Sequence, residues 1–315
     1  MKRLALVAAS ALVLAGCAAT PAPEDDGRLQ VVASTNVYGD IASAIGGDLV
    51  NVTSIITGAN QDPHSYEASA RDQLAIAEAD LVILNGGGYD TFMETLVDAS
   101  GTTAPVITAV DVSGLLEDGA DDDHAEEDSA EEEDHDGHDH IEGFNEHVWY
   151  DFHAMEDVAE GIADQLSALD SANAAAFEAN ADAFTAEIEA LEARADELHT
   201  TLEGQGAAMT EPVPGYLLAA VGLDNLTPEA FTEAIEEGAD VPPLALQETL
   251  DLFTGPSVVV LAYNSQTASP ETERVREAAE AAGVPVLDFT ETLPDGQTYV
   301  SWMTANLDSI AAALT

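Results

Sequence analysis

The stretch that decides the fold covers residues 171–203 and reads SANAAAFEANADAFTAEIEALEARADELHTTLE. It contains neither glycine nor proline, the two residues least compatible with a helix interior. Its larger apolar side chains recur every three, four or seven residues, which places them on one face of a helix. These positions are Phe177, Phe184, Ile188, Leu191, Ala195, Leu198 and Leu202. The spacing predicts one continuous helix over all 33 residues, about 50 Å long at 1.5 Å per residue.

Strand and helix patterns alternate on both sides of this helix. Apolar, β-branched runs at 50–56 and 81–84 precede it, and similar runs at 257–263 and 284–289 follow it. Such alternation is typical of α/β folds with a mostly parallel sheet. A coiled coil is the alternative for the helix, but the stretch is short for one. We therefore expect an α/β protein of two lobes, each with a mostly parallel sheet flanked by helices, joined by one long rigid helix.

Length and charge narrow the class of protein. The chain has 315 residues, of which 46% are hydrophobic, so it can bury two cores. It has 61 acidic residues against 7 lysines and arginines, a net charge of −54. Nucleic-acid binding is excluded, because neutralising phosphates requires basic side chains. Anionic lipid surfaces would repel such a chain, so any membrane attachment needs a means other than a basic patch. The expected partners are cations or basic protein surfaces.

The N-terminus has the pattern of a bacterial lipoprotein signal. A basic start and an apolar run too short to span a bilayer lead to Leu-Ala-Gly-Cys, ending at Cys17. This ending resembles a lipobox, in which Cys17 is acylated and becomes the new N-terminus. We expect residues 1–16 to be the signal peptide and 17–28 a lipidated tether on the extracytoplasmic face of the cell membrane. An ordinary signal peptide that happens to contain a cysteine is the alternative.

The remaining chain divides into three predicted parts, with one unusual insertion. The N-terminal lobe is expected at 29–153, the linking helices at 154–204 and the C-terminal lobe at 205–315. Within the first lobe, residues 117–142 contain 15 acids and no lysine, arginine or aromatic residue, so we expect a disordered loop. Imidazoles alternating with carboxylates suit zinc, and weak auxiliary metal capture is favoured over a merely solvating acidic run. The loop histidines are His124, His135, His138 and His140.

Four further histidines lie outside this loop. His64 follows the predicted strand at 50–56, and open α/β sheets bind ligands at the carboxyl ends of their strands. His147 lies just beyond the acidic loop. His199 fits the last turn of the long helix, where a histidine suits the helix dipole, and His153 fits the start of a helix. Because a lone histidine is more often structural than a metal ligand, these positions leave both roles open for His64 and His147.

Two short motifs surround those two histidines. They read Asp-Pro-His-Ser-Tyr-Glu at 62–67 and Glu-His-Val-Trp-Tyr-Asp at 146–151. Together they resemble the histidine motifs of the cluster A-I metal-binding proteins of ABC importers, which include zinc and manganese receptors. The resemblance covers residues 31–314 and includes Leu-Val-Ile-Leu-Asn-Gly-Gly-Gly-Tyr at 81–89. It implies two lobes joined by a rigid helix, with one metal ion in the cleft between them.

The resemblance also implies four ligands for that ion. The first two are His64 and His147. The third position, a histidine in many zinc receptors and a glutamate in many manganese receptors, falls on Glu211. The fourth, usually aspartate after Phe-Thr, falls on Glu291, which reaches one methylene further. The alternatives are that Glu211 only favours the N-terminus of a following helix, and that Glu291 is one solvated acid among many.

The donor set leaves two metals open. Two imidazoles and two carboxylates suit a tetrahedral zinc ion, whereas bidentate carboxylates give the higher, oxygen-rich coordination that manganese accepts. Glu211 favours manganese and the histidine-rich loop favours zinc. We expect zinc, with manganese as the alternative.

Three functional classes can be compared. The first is a monomeric extracytoplasmic receptor that delivers zinc to a membrane ABC permease and its ATPase. The second is a zinc-dependent hydrolase, but catalytic zinc usually has three protein ligands and an open position. HExxH and GxSxG motifs are absent, and the single cysteine lies in the lipobox. The third, an adhesive surface protein, has no support of its own. We expect a receptor and not an enzyme.

Overall fold

The N-terminal lobe contains a parallel β-sheet. The computed structural model describes residues 27–58, 61–118, 141 and 143–315. In this part of the chain the sheet order is β2-β1-β3-β4, and every pairing is parallel. The strands are β1 (Leu29–Thr35), β2 (Val50–Ile56), β3 (Leu81–Leu84) and β4 (Val106–Thr108). The accompanying helices are α1 (Asn36–Gly46), α2 (Ala70–Ala77), α3 (Thr91–Ser100), α4 (Ala109–Val112) and α5 (Leu115–Asp118).

The C-terminal lobe repeats this plan. Its sheet has the order β6-β5-β7-β8, again parallel throughout the described residues. The strands are β5 (Gln205–Met209), β6 (Leu223–Asn225), β7 (Val258–Asn264) and β8 (Val286–Phe289). The helices of this half are α8 (Gly215–Ala220), α9 (Glu229–Glu236), α10 (Pro243–Asp251), α11 (Pro270–Ala282) and α12 (Tyr299–Leu314). The predicted fold of two lobes with parallel sheets is confirmed.

Two helices connect the lobes, α6 (Phe152–Leu169) and α7 (Ala174–Leu202). The buried residues of α7 are the seven apolar positions predicted from the sequence. The prediction of one helix over 171–203 was too long, because α7 has 29 residues and begins three residues later. A turn precedes it, in which the Asn173 side chain donates to Asp170 Oδ2 at 2.5 Å. Short polar side chains of this kind favour turns even where glycine and proline are absent.

The two lobes share a continuous core. One cluster of buried apolar side chains includes Val31 and Ile83 of the first sheet and Ala207 and Val260 of the second, together with the buried faces of the connecting helices. Hydrogen bonds also tie the lobes directly. Asn36 donates to the carbonyl of Leu293 at 2.8 Å and accepts from the Leu293 amide at 2.9 Å. These contacts restrict movement of one lobe against the other.

Some sequence predictions fall outside the described residues. Cys17 and the loop histidines His124, His135, His138 and His140 are among them, so lipidation and auxiliary metal capture stay predictions. Within the described part of the chain, no helix combines the length and apolar character needed to cross a membrane.

Candidate metal centre

His64 lies beyond the carboxyl end of β2, in a turn held by Asp62. The His64 amide donates to Asp62 Oδ1 at 2.9 Å, and the Ser65 hydroxyl donates to Asp62 Oδ2 at 2.8 Å. The turn directs the half-buried imidazole of His64 against the ring of Tyr89, with 5.0 Å between the ring centroids. The predicted position of His64 at the carboxyl edge of a parallel sheet is therefore what the structure shows.

His147 is buried, and Asn145 fixes its ring. Nδ1 of His147 lies 2.8 Å from Asn145 Oδ1, an oxygen that can only accept, so Nδ1 carries the proton and Nε2 presents its lone pair. Asn145 also reaches the second lobe, because its Nδ2 donates to the carbonyl of Pro212 at 3.0 Å. Tyr216 donates its hydroxyl to the Asn145 carbonyl at 2.7 Å. One asparagine thus orients His147, a predicted ligand from the first lobe, and is held by the second lobe.

The two predicted carboxylate ligands lie at the carboxyl edge of the second sheet. Glu211 follows β5 and Glu291 follows β8, and both side chains are almost fully buried. Asn264, the last residue of β7, donates Nδ2 to Glu211 Oε2 and, at 2.7 Å, to Glu291 Oε1. Thr267 donates its hydroxyl to Glu211 Oε2 at 2.5 Å. The asparagine amide therefore holds the two carboxylates side by side in the cleft.

The structure brings three of the four predicted ligands together directly. Potential ligand atoms of His64, His147 and Glu291 all lie within 4.8 Å of one another. Glu211 does not belong to that group of three, but its carboxylate shares the Asn264 amide with Glu291. Three predicted ligands from the two lobes thus meet directly, and Glu211 lies next to them through its hydrogen bond with Asn264. The alternative that Glu291 is a solvated acid is wrong, because only 4% of the residue is exposed.

Burial of the carboxylates changes their proton affinity. Burial, together with repulsion from Glu291, raises the pKa of Glu211 to about 8. Burial also raises the pKa of Glu291 to about 7, although the hydrogen bond from Asn264 opposes this shift. Two acids of this kind are unfavourable neighbours without a cation, because each anion destabilises the other in a poorly solvated site. A divalent cation placed between them would remove that repulsion.

Aromatic side chains form the wall of the site. The fully buried Trp149 ring lies 5.1 Å from the His147 ring and 4.7 Å from that of Tyr89. Tyr89 reaches this position because the preceding loop turns sharply, with Gly86 at φ 79°, where an added Cβ would meet Thr108 at 2.4 Å. An apolar wall of this kind limits access of water and lowers the local dielectric.

Two acidic residues near the site were missed from the sequence. Glu146 is 3% exposed, and ligand atoms of His64, Glu146 and Glu236 also lie within 4.8 Å of one another. Glu236 Oε1 lies 3.4 Å from His147 Nε2. The pKa of Glu236 is raised well above its ordinary value, mainly because the group is buried and to a smaller extent because Glu146 repels it. Glu146 adjoins His147 in the sequence, which was a usable signal, whereas nothing distinguishes Glu236 among 61 acids.

The other two histidines outside the loop lie away from this point. His153, the second residue of α6, is exposed, and its Nδ1 lies 3.4 Å from Glu156 Oε2. His199, near the end of α7, places Nδ1 3.1 Å from the carbonyl of Ala220. Both positions agree with the structural roles expected for them.

A two-lobed α/β protein with two imidazoles and two buried carboxylates in its cleft has the architecture expected of a metal-binding receptor of an ABC importer. The chain belongs to the ZnuA family, described as zinc-uptake complex component A, periplasmic, whose model matches residues 31–313. Membership of this family makes the chain an extracytoplasmic metal receptor that supplies an ABC importer.

Relatives within and around this family differ in the metal that they are named for. The manganese ABC transporter substrate-binding lipoprotein PsaA of Streptococcus pneumoniae is 27% identical over 328 residues, covering 97% of this chain and 96% of PsaA. FpvC of Pseudomonas aeruginosa in complex with Mn²⁺ is 26% identical with a TM-score of 0.67, over 91% of this chain and 98% of FpvC. The periplasmic zinc-binding protein TroA of Treponema pallidum has a TM-score of 0.73 at 20% identity, over 92% of this chain and all of TroA, and supports the fold alone.

Proposed function

We propose that the chain carries one zinc ion, bound by His64, His147, Glu211 and Glu291, and delivers it to the permease of an ABC importer. The single observation that carries this proposal is the shared Asn264 amide, which donates to one oxygen of each carboxylate. The choice of ligands is supported by the proximity of His64, His147 and Glu291 and by the resemblance of all four positions to the family motifs.

The hydrogen bonds to the carboxylates favour a low coordination number. Glu211 Oε2 accepts from both Asn264 and Thr267, and its Oε1 accepts from none of the described residues. Glu291 Oε1 accepts from Asn264, while Oε2 has a 3.5 Å contact with the Tyr89 hydroxyl. One oxygen of each carboxylate is thus more available to a metal than the other. Two monodentate carboxylates and two imidazoles make four donors, the number that zinc prefers.

Manganese is the second candidate, and a specific observation supports it. PsaA, which matches almost the whole chain, is named for manganese. The site also contains further carboxylates, Glu146 and Glu236, which could raise the number of oxygen donors. Affinity alone does not choose the physiological ion, because sites of this kind bind zinc more tightly than manganese in general.

A binding role is favoured over catalysis. Four protein donors fill a tetrahedral zinc shell, which leaves no position for the reactive water of a zinc hydrolase. The aromatic wall of Tyr89 and Trp149 further restricts access of substrate to the ion. We therefore favour a site that binds the metal ion and releases it to a partner protein over a site that catalyses hydrolysis.

The anchoring and partners of the receptor are part of the same proposal. PsaA is named a lipoprotein, and Cys17 ends a lipobox-like sequence, so the mature chain is proposed to be attached through a lipid at Cys17. It would then act as a monomer on the extracytoplasmic face of the membrane, next to the permease and its ATPase. Metabolic labelling with a palmitate analogue should label the wild-type chain and not C17A.

Metal analysis tests the choice of ion. The mature protein is purified without added metal and analysed by plasma mass spectrometry, then titrated with zinc in competition with manganese. We expect about one zinc ion per chain in the protein as isolated, and displacement of added manganese by zinc is expected whichever ion is physiological. Manganese as the main ion in the protein as isolated, or manganese that stays bound against equimolar zinc, would overturn the zinc proposal.

Variants test the assignment of ligands. H64A and H147A should each lose tight zinc binding in calorimetry, since an incomplete shell must be filled by water. H153A is the matched control, because His153 is an exposed histidine outside the site. Wild-type affinity in both H64A and H147A would eliminate this set of ligands.

A further inference from the structure

A cavity of about 470 Å³ opens beside the candidate metal centre. Several glutamates line it, some of them exposed to solvent and others buried. Glu229 and Glu233 on α9 and Glu237 just after it are exposed, whereas the Glu236 side chain is only 9% exposed and Glu146 is buried. None of the residues that line the cavity in the described chain is a lysine or arginine. The cavity thus leads from an acidic surface to a buried acidic pair, and its negative potential would concentrate cations.

The buried end of the cavity contains a second set of potential metal ligands. Donor atoms of Glu146, Glu236 and His64 lie within 4.8 Å of one another, as do those of His64, His147 and Glu291. His64 belongs to both sets. An ion could therefore pass from one set to the other while His64 stays bound to it.

Glu236 itself has an unusual environment. Its side chain is 9% exposed, and its Oε1 is buried without a hydrogen-bond donor among the described residues. This oxygen lies 3.4 Å from Nε2 of His147, whose Nδ1 proton is directed to Asn145. The lone pair of the neutral imidazole therefore faces the Glu236 carboxyl group, and either a proton on that carboxyl group or a bound cation relieves the repulsion between them.

We propose that Glu146, Glu236 and His64 form a transit site through which the divalent ion passes between the acid-lined cavity and the final ligands. The proposal rests on the proposed function, since it assumes that the final site contains His64 and His147. The ion first binds the two glutamates and His64, then exchanges the glutamates for His147, Glu211 and Glu291.

A transit site has a distinctive kinetic signature. It lowers the barrier between solution and the final site, so its removal slows binding and release by the same factor. A residue of the final shell behaves differently, because its loss mainly accelerates release. The ratio of the two rate constants therefore distinguishes the roles.

Stopped-flow fluorescence can measure both rate constants on the full mature chain. Trp149 lies beside His147 and provides the signal, with Zn²⁺ alone as the probe for binding and excess chelator for release. The variants are E236Q and E146Q. E237Q is the matched control, because it removes the same charge from an exposed neighbour that lines the same cavity.

We expect E236Q and E146Q each to reduce both rate constants about tenfold, and E237Q to change them less than about twofold. Faster release with a weaker Kd in E236Q would place Glu236 in the final shell and overturn the transit role. Rates in E236Q and E146Q equal to those of E237Q would overturn it as well. Weak zinc binding by the wild-type protein would overturn the proposed receptor function itself, and this outcome is distinct from a change in the rate constants of the variants.

Discussion

Asn145 Oδ1 accepts the Nδ1 proton of His147 at 2.8 Å, while the Asn145 amide group donates to the carbonyl of Pro212 in the other lobe. The orientation of His147, a predicted ligand on the first lobe, is thereby coupled to the segment that carries Glu211. Outer contacts of this kind fix the tautomer and direction of a metal-binding imidazole.

Replacing Asn145 should weaken the metal site although Asn145 is not a ligand. In N145A the His147 ring loses its acceptor, so we expect zinc affinity to fall about 10- to 100-fold. N145D is the matched variant, because it retains an acceptor oxygen for Nδ1 but loses the donor to Pro212, and it should lose less affinity. Competition titration with a zinc chelator measures both. Wild-type affinity in N145A would show that the hydrogen bond does not orient the ring.

Asn264 should stabilise the metal-free protein. N264A removes the donor shared by Glu211 and Glu291 and leaves two buried carboxylates facing each other. We expect the free energy of unfolding without metal to fall by about 2 kcal/mol. Chemical denaturation in the presence of a chelator measures this change. N180A is the control, since Asn180 donates a single bond to the Ile45 carbonyl away from the site, and should cost about 1 kcal/mol. A loss in N264A no larger than in N180A would contradict the role of the shared amide.

Zinc affinity should depend steeply on pH. The pKa values of Glu211 and Glu291 are raised to about 8 and about 7, so both acids bind protons as the pH falls through this range. The ion must displace those protons, so affinity is lost on acidification and recovered above about pH 8. We expect Kd to weaken at least about a hundredfold from pH 8 to pH 6.

The same titration has a second readout, the number of protons released. Calorimetry in buffers of different ionisation enthalpy should show roughly one to two protons leaving per zinc ion at pH 7. Carboxylates with ordinary pKa values would release essentially none. A zinc affinity that changed less than about threefold between pH 8 and pH 6 would contradict the raised pKa values of Glu211 and Glu291.

The lobes should move little on metal binding. The reciprocal hydrogen bonds between Asn36 and Leu293, and the 2.7 Å bond from the Tyr299 amide to Asp40, hold the lobes together without metal. We expect the radius of gyration from X-ray solution scattering to differ by less than about 1 Å between metal-free and zinc-bound protein. N36A should widen that difference. A large domain rotation in the wild-type protein would show that these contacts do not restrain the lobes.

Much of the fold could be predicted from the sequence because its signals are local. The stripe from Phe177 to Leu202 follows helical periodicity, and all seven of its positions are buried. The start of α7 was misplaced because the turn before it uses aspartate, serine and asparagine and no glycine or proline. Strand β5 (Gln205–Met209) was missed because it contains no β-branched residue, although its pairing between β6 and β7 buries it.

His64 and His147 could be selected from the sequence because a recognisable motif surrounds each of them. The structure places these two histidines close together. The relationship of Asn264 to both glutamates depends on three strands separated in sequence, so no local pattern could indicate it. Glu236 lies at the end of an ordinary amphipathic helix, and its burial beside His147 arises only from packing of the lobes.

The most direct measurement is anomalous X-ray diffraction at the zinc edge from crystals of the mature zinc-loaded protein. We predict the strongest anomalous peak in the cleft, about 2.0–2.2 Å from a ring nitrogen of His64 and of His147 and from one oxygen each of Glu211 and Glu291. A strongest peak elsewhere, for example at the His153, Glu156 and Glu192 group on α6 and α7, would contradict the proposed receptor site. So would a cleft ion bound by Glu146 and Glu236 in place of Glu211 and Glu291.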